Sequence, residues 1–95
     1  MIVYTEEGDK LRCTFPGAMH TAACTAVEAD LMARVAKAAG PVEFDLGRVD
    51  FVASSFLRLC LAVTRKLGRG RLKLVNVQPG VKKVITISGL TELIG

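Results

Sequence analysis

The chain has no tryptophan, and only 5% of its 95 residues are aromatic. Its core must therefore be built from Leu, Val, Ile and Ala, and few rings are left over to stack on nucleobases. There is one histidine, His20, and it reads as a loop residue or a minor helix cap rather than a ligand or a base. The cysteines Cys13, Cys24 and Cys60 are odd in number, widely spaced and without a CxxC, which argues against a disulfide framework or a zinc site. No apolar run approaches the ~18 residues of a membrane span, and no charged-then-apolar leader opens the chain, so the expected location is a reducing cytoplasm with no membrane insertion. Repeats, linkers and low-complexity segments are also absent, so residues 1–95 are expected to form one domain.

The composition, 51% hydrophobic and 23% charged, is that of a globular protein, and the net charge of +4 is unevenly spread. Residues 1–50 hold eight acids and five bases, whereas residues 51–95 hold one acid, Glu92, against eight bases. A basic half of this kind calls for a nucleic acid or an acidic protein partner. Arg65, Lys66, Arg69, Arg71 and Lys73 are the bases a nucleic acid would meet. No RNP or helix-turn-helix pattern interleaves with them, so specific nucleic-acid binding is not expected.

Ile2–Thr5 is a β-prone run, Glu6-Glu7-Gly8-Asp9 is turn chemistry, and Lys10–Phe15 alternates Leu11, Cys13 and Phe15 against Lys10, Arg12 and Thr14. Together they predict a hairpin. From Thr21, a candidate N-cap, to about Ala39 the spacing of Ala23, Val27, Leu31, Val35 and Ala38 predicts a helix that Gly40-Pro41 stops. Val42, Phe44 and Leu46 alternate with Glu43 and Asp45, the latter two on a solvent face of a third strand. After a loop, Phe56, Leu59, Cys60, Val63 and Leu67 trace an amphipathic helix ending at Gly68. Arg71–Val77 is a fourth strand. Pro79 opens a last helix with Val81, Val84, Ile85 and Ser88 on its buried stripe, and Leu90–Gly95 is a short tail. The order β-β-α-β-α-β-α predicts an α/β domain with a small mixed sheet of four to five strands, an N-terminal hairpin and three helices.

Enzyme motifs are missing. Ser54 and Ser55 lie in no GxSxG, Gly68-Arg69-Gly70 reads as a helix C-cap and turn, and there is no GxxxxGK[ST]. The sharpest local feature is Asp50-Phe51-Val52-Ala53-Ser54-Ser55-Phe56-Leu57, where two hydroxyls meet the start of a helix. One Ser is the N-cap, or one is a phosphorylation site, where a phosphate would add about −1.5 to −2 charges. On the same helix Arg58, Arg65 and Arg69 share a face beside Leu57 and Leu61. That face is either a docking patch for an acidic partner or a solvated basic surface over a broad core contact.

These residues resemble the STAS domain of bacterial anti-sigma factor antagonists and sulfate-transporter tails. Val42–Leu46 and Val49–Leu57 follow that family's strand and "D-F-x-D-S-S-G-L" pattern. Gly70–Val81 follows "G-x-x-L-x-L-x-N-x-x-P-x-V", and Ser88-Gly89-Leu90 follows "x-G-L". The resemblance implies a STAS-like fold and a binding module, not an enzyme, with no cofactor or metal of its own. The implied partner is an anti-sigma factor or serine kinase that brings the ATP and magnesium. Partner switching follows by phosphorylation of Ser54, with Ser54, Ser55, Phe56, Leu57, Arg58, Leu61 and Arg65 as the expected partner-binding surface. Three positions depart from the family pattern: Ala53 replaces the acid before the phosphoacceptor, Phe56 replaces a glycine, and His20 replaces an acid of "G-x-[LI]-D". The chain also closes soon after Gly89-Leu90, where longer members add a strand and a helix, so a minimal, divergent or partner-completed domain is expected. Ala53 and Phe56 keep a second reading open, a constitutive STAS scaffold subunit such as that of a lipid-transport ATPase, without phosphorylation.

Overall fold

The structure, a computed structural model, describes residues 1–95. Its elements are β1 (Val3–Glu7), β2 (Lys10–Thr14), α1 (Thr21–Ala36), β3 (Val42–Asp45), α2 (Ser54–Leu67), β4 (Leu72–Val75), α3 (Pro79–Ile87) and a 3-10 turn at Thr91–Leu93. This is the β-β-α-β-α-β-α order read from the hydrophobic periods.

The strands lie in the order β1-β2-β3-β4. β1 and β2 are antiparallel, joined through Gly8-Asp9 with Gly8 at φ 62°, a backbone that glycine adopts without a Cβ clash. β2, β3 and β4 run parallel, in a register that lines up Leu11, Val42 and Leu72 in one row and Cys13, Phe44 and Leu74 in the next. Those two rows form the buried face, over which α1 and α2 pack together. The opposite face carries Arg12, Glu43 and Lys73 in one row and Thr14, Asp45 and Val75 in the other.

The few aromatics are concentrated at the centre. Phe15 meets Phe44 at 4.9 Å and Phe56 at 5.4 Å between ring centroids, both edge-on, as the quadrupoles of the rings prefer. Phe56 is fully buried, which corrects its place on the expected partner surface: it is the first core residue of α2, with its ring against Phe15 and Phe44. No polar or charged side chain is buried in this core.

Arg71 ties three elements together. Its guanidinium donates to the carbonyls of Ala38 and Gly40, past the end of α1, and to that of Leu67 at the end of α2. It therefore stands outside any free basic surface.

β1 runs on through Glu6 and Glu7, and β4 is confined to Leu72–Val75, shorter than the expected Arg71–Val77; α1, α3 and the C-terminal segment differ as well. α1 stops at Ala36 because the N–H groups of Lys37 and Ala38 turn to the carbonyls of Arg34 and Val35, three residues back, tightening the last turn. In α3 only Val81 and Ile85 are buried, while Val84 and Ser88 are exposed: a nine-residue helix lays one narrow side on the core. The segment after Leu90 is ordered rather than a loose tail. Leu90 and Leu93 are buried, Ile94 forms a parallel bridge to Leu74, and the Gly95 N–H donates to the Leu74 carbonyl at 2.9 Å. The sheet thus has four strands and one bridge where a fifth would begin.

Candidate functional site

Three parallel strands that end at one edge bring the loops after them to the same rim, the usual place for a site in an α/β sheet. Here the loop leaving β2 and the loop leaving β3 are cross-linked by backbone. The Met19 N–H donates to the Phe51 carbonyl and the Ala53 N–H to the Met19 carbonyl, both at 2.9 Å. The loop from β3 is also tied to the start of α3, where Gln78 Nε2 donates to the Gly47 carbonyl at 2.9 Å. Asp45 Oδ1 accepts from the Gly47 N–H at 3.0 Å and shapes the turn out of β3.

This fixed rim delivers the start of α2. Ala53, with extended φ −85° and ψ 166°, is the N-cap, and no side chain caps the helix. The sequence reading that one of the serines is the cap is therefore corrected: Ser54 and Ser55 are already the first two helical residues. The two differ in what they do. Ser55 donates to Thr21 Oγ1 at 3.1 Å and pins α2 to the start of α1. Ser54 is exposed and takes no part in capping or in that link. The cap of α1 is also reassigned, from Thr21 to His20, whose Nδ1 accepts from the Ala23 N–H at 3.2 Å. His20 has the extended backbone a cap needs, at φ −74° and ψ 173°.

Along α2, Arg58 and Arg65 are exposed, and Leu57 and Leu61 are half-buried against the core, the arrangement of a solvated basic face whose leucines make a broad core contact. Arg58 also lines the groove between α1 and α2 with Thr21, Cys24, Thr25, Glu28, Ser55, Leu59 and Ala62. Phe51, which the sequence reading left without a role, is 53% exposed two residues before the N-cap. Its signal was present in the alternation Phe51-Val52: Val52 bridges Met19 and turns inward, so its neighbour must turn outward.

The charge asymmetry becomes sharper in three dimensions. Every salt bridge uses a base of the first half: Lys10 with Glu7 and Glu43, Arg12 with Glu43 at 2.8 Å and Asp45 at 3.8 Å, and Arg34 with Glu6 at 3.3 Å. The hydrogen bond to Glu43, with its charge, holds the Arg12 guanidinium above its ordinary pKa. In the second half Arg71 and Lys73 are engaged by backbone carbonyls. Arg58, Arg65, Lys66, Arg69, Lys82 and Lys83 have no carboxylate partner.

The three thiols are buried. Burial pushes Cys13 up to about 12, and it raises Cys60 and Cys24 as well, so all three are held as neutral thiols. No cluster of His, Cys, Asp and Glu is placed to hold a metal ion, and no helix is long and apolar enough to cross a membrane.

Three comparisons with known proteins bear on this rim. The family profile described as "Mlab, STAS domain" matches residues 2–95. The putative anti-sigma factor antagonist BtrV of Bordetella bronchiseptica strain RB50 is 37% identical over 79 residues, covering 81% of this chain and 68% of that protein. Among solved structures, the anti-sigma factor antagonist SpoIIAA in its unphosphorylated form superposes with a TM-score of 0.86 at 23% identity, covering all of this chain and 86% of that one. The phosphorylated form of SpoIIAA, the Bacillus cell fate determinant, gives 0.76 at 22% identity over 100% and 89% of the two chains. An anti-sigma-factor antagonist domain protein from Planctomyces limnophilus gives 0.87 at 21% identity over 98% and 85%. The structural likenesses establish a shared fold.

Proposed function

The chain belongs to the STAS domain family, and from that premise we propose that it is a non-catalytic regulator that binds an anti-sigma factor with serine kinase activity and is released when Ser54 is phosphorylated. The observation that carries this reading is the state of Ser54. It is exposed in the first turn of α2, it neither caps the helix nor joins the Ser55–Thr21 link, and the rim beneath it is cross-braced by backbone hydrogen bonds. A phosphoacceptor must be presented to a partner's active site in this way, with its hydroxyl uncommitted.

In this reading the partner supplies ATP and magnesium. The Ser54 Oγ attacks the γ-phosphorus, the bond from that phosphorus to the β–γ bridging oxygen breaks, ADP leaves, and the hydroxyl proton passes to a base on the partner. Since the base belongs to the partner, Ala53 and His20 in place of acids leave the acceptor chemistry open. The docking surface is the exposed first turn of α2 with Leu57, Arg58, Leu61 and Arg65, beside the tethered Ser55. Phe56 is left out because it is core. The new phosphate places about −1.5 to −2 charges at the edge of a surface that meets the partner as cation and apolar side chain. A cytoplasmic site of action follows from a partner that works on sigma factors.

Ala53 favours the second reading, a constitutive scaffold subunit, because no acid precedes the hydroxyl. Intact-mass analysis after incubation with the partner kinase and ATP separates the two. One added phosphate on the native chain, and none on Ser54→Ala, is expected. No adduct, together with unchanged partner binding by a Ser54→Asp variant, would leave the scaffold reading in its place.

A further inference from the structure

We propose that Arg58 is a built-in counter-charge for the Ser54 phosphate: free to meet a carboxylate of the partner in the unmodified chain, and captured within the chain once Ser54 is phosphorylated. The inference rests on Ser54 being the phosphoacceptor, and it concerns what this particular chain does with the added charge.

Ser54 and Arg58 stand four residues apart on α2, so their Cβ atoms share a face about 5–6 Å apart. The anionic position is the N-terminal one, the better of the two orders for such a pair. Both side chains are exposed, so the guanidinium can swing to the phosphate without disturbing the core. Arg58 is also unclaimed. The salt bridges occupy Lys10, Arg12 and Arg34 only, and Arg71 and Lys73 are held by carbonyls.

The surroundings of Arg58 do not compete strongly. Glu28 is the one carboxylate lining its groove, and it makes no salt bridge to Arg58. The hydroxyls of Thr21 and Ser55 are linked to each other, and the His20 Nδ1 is occupied by the Ala23 N–H. The other arginine of α2 is too distant: Arg65 lies eleven residues from Ser54, about 16 Å along the axis, and Arg69 falls beyond the end of the helix. A phosphate, by contrast, offers three acceptor oxygens to a planar guanidinium that binds such groups in bidentate fashion. Modification therefore does two things at once. It puts a dianion on the docking surface and withdraws the cation one helical turn from it, so a partner that presents a carboxylate there loses its contact and meets repulsion.

The test is a 31P NMR pH titration of the full chain with phosphoserine installed at position 54 during translation, compared with the same chain carrying Arg58→Gln. The second ionisation of the phosphate is expected at lower pH in the Arg58 chain, by about 0.3 unit or more, because the cation favours the dianion. Superimposable titration curves from two chains with the same thermal unfolding midpoint would overturn the proposal. Because the phosphate is installed rather than transferred, this result is independent of whether a kinase modifies Ser54, which the mass measurement decides separately.

Discussion

Phe56 is fully buried against Phe15 and Phe44, while Leu57, the next residue, is half-buried at the edge of the core. Substitutions at the two positions should therefore fail in different ways. Phe56→Ala leaves a ring-sized gap in the aromatic centre and is expected to cost about 3–5 kcal/mol, read from the urea midpoint. Leu57→Asp is expected to keep a cooperative transition and to weaken partner capture. The helical spacing of Phe56 with Leu59, Cys60 and Val63 already marked it as core. The glycine of the family pattern at this position suggests a partner-facing role for any side chain there, which the burial of Phe56 overrides. The cysteines give a second check at this scale. Burial raises all three thiols, so their native pKa values lie above those of the unfolded chain. Their contribution to stability is fully present below about pH 9, the ordinary thiol range, and is lost as pH climbs toward about 12, where Cys13 ionises in the native state. Unfolding followed by circular dichroism should show a midpoint that falls over that window, and a thiol reagent at pH 8 should label the native chain far more slowly than the unfolded one.

At the scale of single elements, α2 begins without a side-chain cap, although its N-cap residue has the extended backbone that Ser, Thr, Asp and Asn favour. Ala53→Asp should accept a hydrogen bond from the free N–H groups of the first turn and stabilise the protein by about 1 kcal/mol, measured by denaturant unfolding. No gain would mean that the cap geometry differs from that described. The existence and order of all seven main elements were legible because their periods are clean: two in the strands, 3.6 in α2. Cap identity was not legible. His20 and Thr21, or Ala53 and Ser54, are adjacent candidates, and which of each pair is extended is decided by the backbone bonds among Met19, Phe51 and Ala53, contacts distant in sequence. The buried side of α3 is narrower than its spacing suggests for a related reason. Val84 and Ser88 fit a helical stripe, but a short helix covers less of the core than a full stripe supplies.

Across the whole molecule, charge is divided by use. Three of the five bases of the first half, Lys10, Arg12 and Arg34, are paired with acids, while Lys37 and Arg48 and six bases of the second half are left to solvent. The count of charges was legible from the sequence, but their pairing was not, because Arg12 meets Glu43 only through the parallel register of β2 and β3. The resulting surface is suited to an acidic protein, and Ser54 lies at its edge, where one phosphate changes its sign locally. The most direct measurement is affinity capture of the partner from a lysate of the source cells, with and without added ATP, on immobilised native chain and on Ser54→Ala. The account predicts that both chains retain the same protein without ATP, and that ATP releases it from the native chain only. Retention by the native chain in ATP, or release from both chains alike, would contradict it.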